Sequence, residues 1–377
     1  MTKIFITIPW FVPAFRAGGP VQSVANMVKE FKEDVEYFIV CQDVDLNGAV
    51  LENIETDKWI QYNDHTQVWY ASPEKISDNI VKEIENKNPD ILFIIGIFSW
   101  HFNLVPLLFC KKPKKILSVR GMLNQGALSQ KKWKKRIYLQ AFKMMKLHHK
   151  ISFHASGEEE KKYIQNTFGN ECKIFTAGNF PNKISPLPVA EKEPGKLKLA
   201  SIALISPMKN ILLVLQALEK IEASIQYDIY GPVKDEDYWE RCLLQIKKLP
   251  ANISVVVHKE IEPQRVKEAL LDAHVFILPS KSENFGHAIY EALSVGRPVV
   301  TSNNTPWNNL RESSAGINIA VENNNEIEEA ISFFAMMDEE TLSQWHRGAI
   351  DYAEKAIDVE LIKNEYEKMF GEGSSKT

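Results

Sequence analysis

Short apolar runs alternate with amphipathic stretches along the whole chain. Runs at 3–8, 36–41, 91–95, 115–119 and 151–155 predict a first set of strands. A second set falls at 198–202, 226–229, 254–257, 275–278 and 298–301. Between many of them apolar residues recur at helical spacing, as at 21–31, 77–86, 212–221, 264–273 and 287–295. The strand runs are continuously apolar, so both faces are expected to be buried. Alternating β and α units of this kind predict an α/β fold with parallel sheets covered on both sides.

The pattern breaks once. Pro181, Pro186, Pro188 and Pro194 crowd the segment 181–195, which reads as a linker between halves of similar size. For 377 residues two domains are expected, each with its own doubly wound, Rossmann-like sheet. The expected boundaries are 1–182 and 183–355. An amphipathic stretch at 356–370 could pack on either half, the first being the expected one, and 371–377 reads as a frayed tail.

Composition changes this picture little: 45% hydrophobic and 25% charged residues exclude wholesale disorder. Charge changes it more. The net −4 hides a segment, 111–150, with thirteen basic residues and no Asp or Glu, which leaves the remainder at −17. Cys41, Cys110, Cys172 and Cys242 lie far apart, so reduced thiols in a cytoplasmic protein are expected rather than a disulfide framework or a zinc cluster. The apolar start reads as a first strand and not a signal peptide. The run 91–98 is far shorter than the ~20 residues a membrane helix needs.

Open parallel sheets bind ligands outside the carboxyl ends of their strands. The string from Pro279 to Ala292 is of this kind. A buried strand ends at Leu278, and a small polar loop carries Glu283, Asn284 and Phe285. Gly286 and His287 then open a helix whose free N–H groups suit a diphosphate. Glu291 lies on that helix, which ends at Gly296 ahead of Pro298. Two carboxylates so placed suit two hydroxyl-bearing parts of one ligand. Taken alone, the pair is more readily what a solvated helix face provides; the surrounding strand–loop–helix context is what favours a site.

This string resembles the donor-sugar signature of the retaining glycosyltransferases of family 4, which have the GT-B fold of two facing Rossmann-like domains with a cleft between them. Ser206-Pro-Met-Lys209-Asn210 resembles the motif whose lysine grips the donor diphosphate. Gly18-Gly19-Pro20 resembles the glycine loop of the N-terminal domain. Ser118-Val-Arg120-Gly121, His154-Ala-Ser with Glu158–Glu160, Tyr230-Gly231-Pro232 and Thr305-Pro306-Trp307 are similar to a bacterial exopolysaccharide and O-antigen subgroup.

The resemblance implies a UDP- or GDP-linked sugar donor held mainly by the second domain, with no metal and no further cofactor. Glu283 would meet hydroxyls of the transferred sugar, Glu291 the ribose, and Lys209 the leaving diphosphate. The backbone around Asn284, Phe285 and Gly286 would approach sugar and phosphates. Configuration would be retained by front-face attack. The sugar would pass to a glycan or lipid-linked saccharide in cell-surface polysaccharide assembly. Two rivals use the same pocket: a nucleotide-sugar 2-epimerase of the same fold, and a sugar-nucleotide-binding protein that has lost catalysis.

One position departs from the family. Where an arginine five residues ahead of the lysine is usual, this chain has Leu204. Arg120 is the candidate to supply the missing guanidinium, with a surface or structural role as the alternative. Gly18 and Gly19 follow the first strand and precede a helix, as a phosphate loop or a plain tight turn. His287 could donate to a sugar or phosphate oxygen, and helix-start exposure explains it equally. His101 and His154 are acceptor-side candidates, although a histidine beside an aromatic is commonly structural. Asp43-Val-Asp45 and Asp235-Glu-Asp237 match a metal-binding spacing too loose to carry a metal site.

The basic segment has its own reading. Lys131, Lys132, Lys134, Lys135 and Arg136 interleave with Trp133, Ile137, Tyr138, Leu139, Phe142, Met144 and Met145. That mixture suits an anionic membrane surface, here the inner leaflet. A solvated cationic face is the alternative. Nucleic acid is not expected, since no recognised module accompanies the charge.

Overall fold

The computed structural model describes residues 1–129, 132–321 and 323–371. The chain forms two compact units, one from Met1–Phe180 with the chain from Val359 onward, the other from Pro181–Asp358.

Unit 1 is built on strands β1 (Thr2–Thr7), β2 (Val35–Gln42), β3 (Trp59–Asn63), β4 (Thr66–Ala71), β5 (Ile91–Ile95), β6 (Lys114–Ser118), β7 (Ser152–Ala155) and β8 (Lys173–Thr176). Their order in the sheet is β3-β4-β2-β1-β5-β6-β7-β8. Every pairing is parallel except β3 with β4. Unit 2 contains β9 (Lys196–Ile202), β10 (Ser224–Tyr230), β11 (Ile253–Val257), β12 (Val275–Leu278), β13 (Val299–Ser302) and β14 (Gly316–Ile319). Its order is β11-β10-β9-β12-β13-β14, all parallel. Numbered within the unit, that is the 3-2-1-4-5-6 order of a Rossmann sheet, with its switch point between β9 and β12. In unit 1 the corresponding reversal lies between β1 and β5.

Four strands escape the hydrophobic pattern, for physical reasons. Both β3 and β8 are edge strands with half-exposed sequences. A hydrophobic count sees little there. β4 is the parallel neighbour of β2, but Gln67 and a short turn at Asp64–His65 interrupt its run. β14 begins at Gly316, where a Cβ would stand 2.0 Å from the Val299 carbonyl oxygen, so the strand starts on a residue of low strand propensity.

The proline-rich segment is no free linker. Ser185 and Leu187 donate backbone N–H groups to Ser294 and Val295, at 3.2 and 3.1 Å. Arg297, only 2% exposed, donates to the carbonyls of Leu270, Leu271 and Pro188 at 2.8–2.9 Å. Lys192 Nζ meets the carbonyls of Ala335 and Met337 at 2.9 and 2.7 Å. Both cations therefore sit on helix carboxyl ends, of Val266–Leu271 and Asn324–Ala335, where carbonyls lack partners and the dipole favours positive charge.

The last helix, Val359–Gly371, belongs to unit 1. Tyr366 stacks on Phe180 at 5.3 Å, and Phe370 packs edge-on to Phe93 at 5.7 Å. Lys114 Nζ donates to the Met369 carbonyl at 3.0 Å. Most of the tail expected at 371–377 lies outside the described residues. Among the described residues no helix is long and apolar enough to cross a membrane.

Candidate functional site

The carboxyl edge of unit 2 collects the signature residues at the switch point. After β9 the chain turns through Ser206–Asn210, with Lys209 N donating to Ser206 O at 3.0 Å, and enters the helix Ile211–Leu218. After β12 comes the loop of Glu283. Because β9 and β12 are neighbours, these two loops must leave the sheet side by side. Lys281 N joins them by donating to Met208 O at 2.8 Å. Across the junction Lys209 Nζ pairs with Glu283 Oε1 at 2.5 Å, and Ser280 Oγ donates to the same oxygen at 2.7 Å. The two side chains keep 22% and 11% of their surface exposed, so the pair is held in place yet reachable.

The loop itself is braced from β13. Thr301 Oγ1 donates to Leu278 O at 2.8 Å and Ser302 Oγ to Ser280 O at 2.5 Å. Trp307, 4% exposed, donates from its indole to Phe285 O at 2.5 Å. Gly286 then takes φ +77° as the cap of the helix His287–Ser294. A Cβ there would crowd Ile289 and the Trp307 indole at 3.2 and 3.3 Å, so the position requires glycine on both counts. The ring of His287 lies 4.6 Å from that of Phe285, at the helix start.

Glu291 lies on this helix and accepts from Asn182 Nδ2 at 2.7 Å. Burial pushes its carboxyl up to about 7, against the pull of the Asn182 amide. Asn182 had no signal in the sequence beyond its place in the proline-rich segment. Leu204, where the family's arginine would stand, is half-buried just after β9 and leaves Lys209 as the cation of this turn.

The carboxyl edge of unit 1 gathers a second group. Gly18 (φ +72°) caps the helix Gly19–Glu30 after β1, and a one-turn π-helix, Trp100–Leu104, follows β5 with His101 half-buried on it. β1 and β5 are neighbours, and Thr7 Oγ1 donates to Phe102 O at 2.7 Å between them. Arg120 follows β6 in a left-handed conformation, φ +47°. Its Nη1 donates to Asn179 Oδ1 at 2.5 Å, while Nε and Nη2 are buried without a hydrogen-bond acceptor. The next residue, Gly121, donates its N–H to the Glu160 carboxylate.

His154 is corrected. Its place within β7 leaves it wholly buried, with Nε2 donating to Ala177 O at 2.9 Å and Nδ1 accepting from Ser118 Oγ at 2.7 Å. Burial, with Arg120 nearby, drives its pKa down to about 3, so it is a neutral core residue and reaches no acceptor. Asp45 is also spoken for: Oδ2 accepts from the N–H groups of Phe15 and Arg16 at 3.2 and 3.4 Å, which shapes the turn leading to Gly18. Asp235 caps the helix Glu236–Ile246. Neither aspartate motif joins a metal-holding group among the described residues.

The basic segment is sorted by its fold. The helix Lys132–Met144 buries Leu139 and Phe142, with Tyr138 half-buried, and exposes Trp133, Ile137 and Met144. Lys135 Nζ turns back to Ala127 O at 2.6 Å. Lys132, Lys134 and Arg136 face solvent, and Lys131 lies outside the described residues.

Comparison with known proteins agrees with this architecture. Residues 187–351 match the family model described as Glycosyl transferases group 1. A curated relative, the sulfoquinovosyl transferase of Arabidopsis thaliana, is 24% identical over 145 residues, 36% of this chain. That stretch spans only 27% of the relative's own length. The sucrose-phosphate synthase structure from Thermosynechococcus elongatus superposes with a TM-score of 0.70 at 14% identity, covering 99% of each chain. HepE from Anabaena, solved with UDP and glucose, gives 0.70 at 14% identity over 98% of this chain and 99% of its own. The chain thus has the GT-B fold, and its second unit is similar over residues 187–351 to the group 1 glycosyl transferases.

Proposed function

We propose that the protein is a retaining glycosyltransferase that moves a sugar from a nucleotide-sugar donor to a glycan or lipid-linked saccharide in cell-surface polysaccharide assembly. The observation that carries this reading is the Lys209–Glu283 pair at the β9/β12 switch point, beside the helix start at Gly286. A donor's diphosphate becomes a leaving group as the sugar bond breaks, and its negative charge grows. Lys209 and the first N–H groups of the helix His287–Ser294 are the groups that stabilise that charge, where preorganised donors act most strongly. Glu283 accepts hydroxyls of the sugar, and Glu291, half-withdrawn beside Asn182, accepts those of the ribose. The complex of HepE with UDP and glucose supports a UDP-linked donor.

Arg120 is the second cation of the reading. A guanidinium with two buried, unaccepted nitrogens is poorly satisfied in the free protein and gains by meeting an anionic substrate group. His101 and the Gly18–Gly19 turn share its sheet edge and are proposed to border substrate there.

The test begins with melting curves in the presence of UDP- and GDP-sugars. A ligand that binds only the folded state raises Tm by mass action, so the right donor stands out. Release of nucleoside diphosphate is then followed with and without oligosaccharide or lipid-linked acceptors. Acceptor-dependent release supports transfer. Sugar epimerised without acceptor, or nucleotide bound and never released as diphosphate, would falsify it.

A further inference from the structure

The helix Lys132–Met144 presents to water a surface that unit 1 does not need for folding. At 100° per residue, Trp133, Ile137 and Met144 fall within about 40° of one another on the helix wheel. They are 65%, 57% and 83% exposed. Leu139 and Phe142, 9% and 1% exposed, lie on the opposite side and belong to the core of unit 1. This helix is therefore apolar twice, once toward the core and once away from it. A solvated helix has no use for the second stripe.

The flanks of that stripe are cationic. Lys132, Arg136 and Lys143 line one side and Lys134 the other, all exposed. No carboxylate occurs from 111 to 150. Among the described residues none of these four forms an ion pair with a carboxylate. Lys114, Lys115 and Lys135 are different, for each donates to a backbone carbonyl of unit 1. On this helix the outward cations are therefore left without an ion pair or a backbone hydrogen bond among the described residues, Lys143 touching only the ring of Phe168 at 6.0 Å.

We infer that this face docks on an anionic lipid surface, the apolar stripe entering between headgroups and the flanking cations meeting lipid phosphates. Apolar residues ringed by one sign of charge suit the chemistry of an anionic bilayer surface, which offers hydrocarbon and negative charge at adjoining depths. The inward side of the same helix reaches the acceptor-side loop. Phe98 packs edge-on to Tyr138 at 5.4 Å and lies under Lys135 Nζ at 5.0 Å. Two residues further on, Trp100 is 59% exposed beside His101. Docking would hold that loop close to a membrane-anchored acceptor, which deepens the transferase reading and rests on it for the acceptor alone.

The test uses the full chain and vesicles of phosphatidylcholine, with or without phosphatidylglycerol, in flotation at low and high salt. The native protein is expected to float with the anionic vesicles at low salt and to leave them as salt rises. The triple variant Lys132→Glu/Arg136→Glu/Lys143→Glu should lose more than roughly a hundredfold in affinity, since removing three cations alone costs about fivefold each near an anionic surface. The variant Trp133→Ser/Ile137→Ser/Met144→Ser should weaken binding by about tenfold while keeping its salt dependence. Both should retain the native melting temperature and its shift with UDP, which shows that fold and nucleotide site are intact. Absence of the native protein from anionic vesicles at low salt overturns the inference, as does equal binding by both variants. Binding to duplex DNA without binding to vesicles overturns it as well. Vesicle binding with no response to any nucleotide sugar would leave this surface standing and remove the transferase reading.

Discussion

Lys209 and Glu283 are adjacent only because β9 and β12 are adjacent, and each side chain holds the other where a substrate would meet both. Removing the cation should be felt in chemistry more than in folding. Lys209→Ala is expected to lower kcat/KM for the donor by roughly 10²–10³, the usual cost of losing one preorganised stabilising group. Lys209→Arg should recover part of it, and melting curves should show both variants folded. Glu291 makes a different prediction. Its carboxyl, raised to about 7 from 4.5, favours the protonated form in the folded chain. Its contribution to stability is thus present below pH 4.5 and lost as pH rises through 7. By pH 8 the loss is on the order of 3 kcal/mol. Glu291→Gln should therefore melt higher than the native protein at pH 8 and no higher at pH 5, while binding nucleotide more weakly. A lower melting point at pH 8 would refute the assignment. Both glutamates could be seen in the sequence from their loop and helix context. Asn182 and Asn179 could not, because an asparagine in a proline-rich or loop segment carries no pattern until a partner is placed against it.

At the scale of elements, the helix after the signature shows how local sequence and neighbouring structure share control. Gly286 opens it in a left-handed conformation, and Gly296, φ +86°, follows its end. A Cβ at Gly296 would stand 2.3 Å from His346 Nε2, which donates to Leu187 O at 2.8 Å. Gly296→Ala must therefore strain the backbone and dislodge a ring that pins the proline-rich segment. Urea unfolding is expected to show a loss of about 3 kcal/mol. A loss below about 1 kcal/mol would mean that the His346 contact is soft. The prolines of that segment read as a linker because proline stiffens a chain in the same way whether it is free or packed. The carbonyls held by Arg297 and Lys192 decide the matter, and in each case the partner of the segment comes from distant sequence.

At the scale of the molecule, unit 1 is not a continuous stretch of chain, since it is completed from Val359 onward. Ile362, Tyr366, Met369 and Phe370 are all buried there, none more than 7% exposed. Burial of four such side chains stabilises by about 6–12 kcal/mol at roughly 1.5–3 kcal/mol each. That matches the whole stability of an ordinary domain. A chain ended after Asp358 should therefore lose unit 1 and keep unit 2. Limited proteolysis should leave a resistant fragment from within 181–358 and none from the first 180 residues. A truncated chain resistant throughout would contradict this. The net charge of −4 also becomes informative only at this scale. Within the basic segment some lysines hold carbonyls inside unit 1, while others face outward from one helix.

The alternation of β and α units, the α/β class and the strand–loop–helix signature after β12 were determined by the sequence itself. Continuous apolar strands, helical periodicity and a glycine before a helix are local signals that survive without the fold. Edge strands β3 and β8 were not legible, because their identity comes from pairing rather than from hydrophobicity. Nor could the sequence tell His101, placed at a sheet edge, from His154, sealed within one, since both are histidines beside an aromatic. Tertiary structure alone decided which lysines face solvent, which segment is pinned, and where the last helix packs. Each of these depends on what distant residues bring to within a few ångströms, and distance along the chain does not encode that.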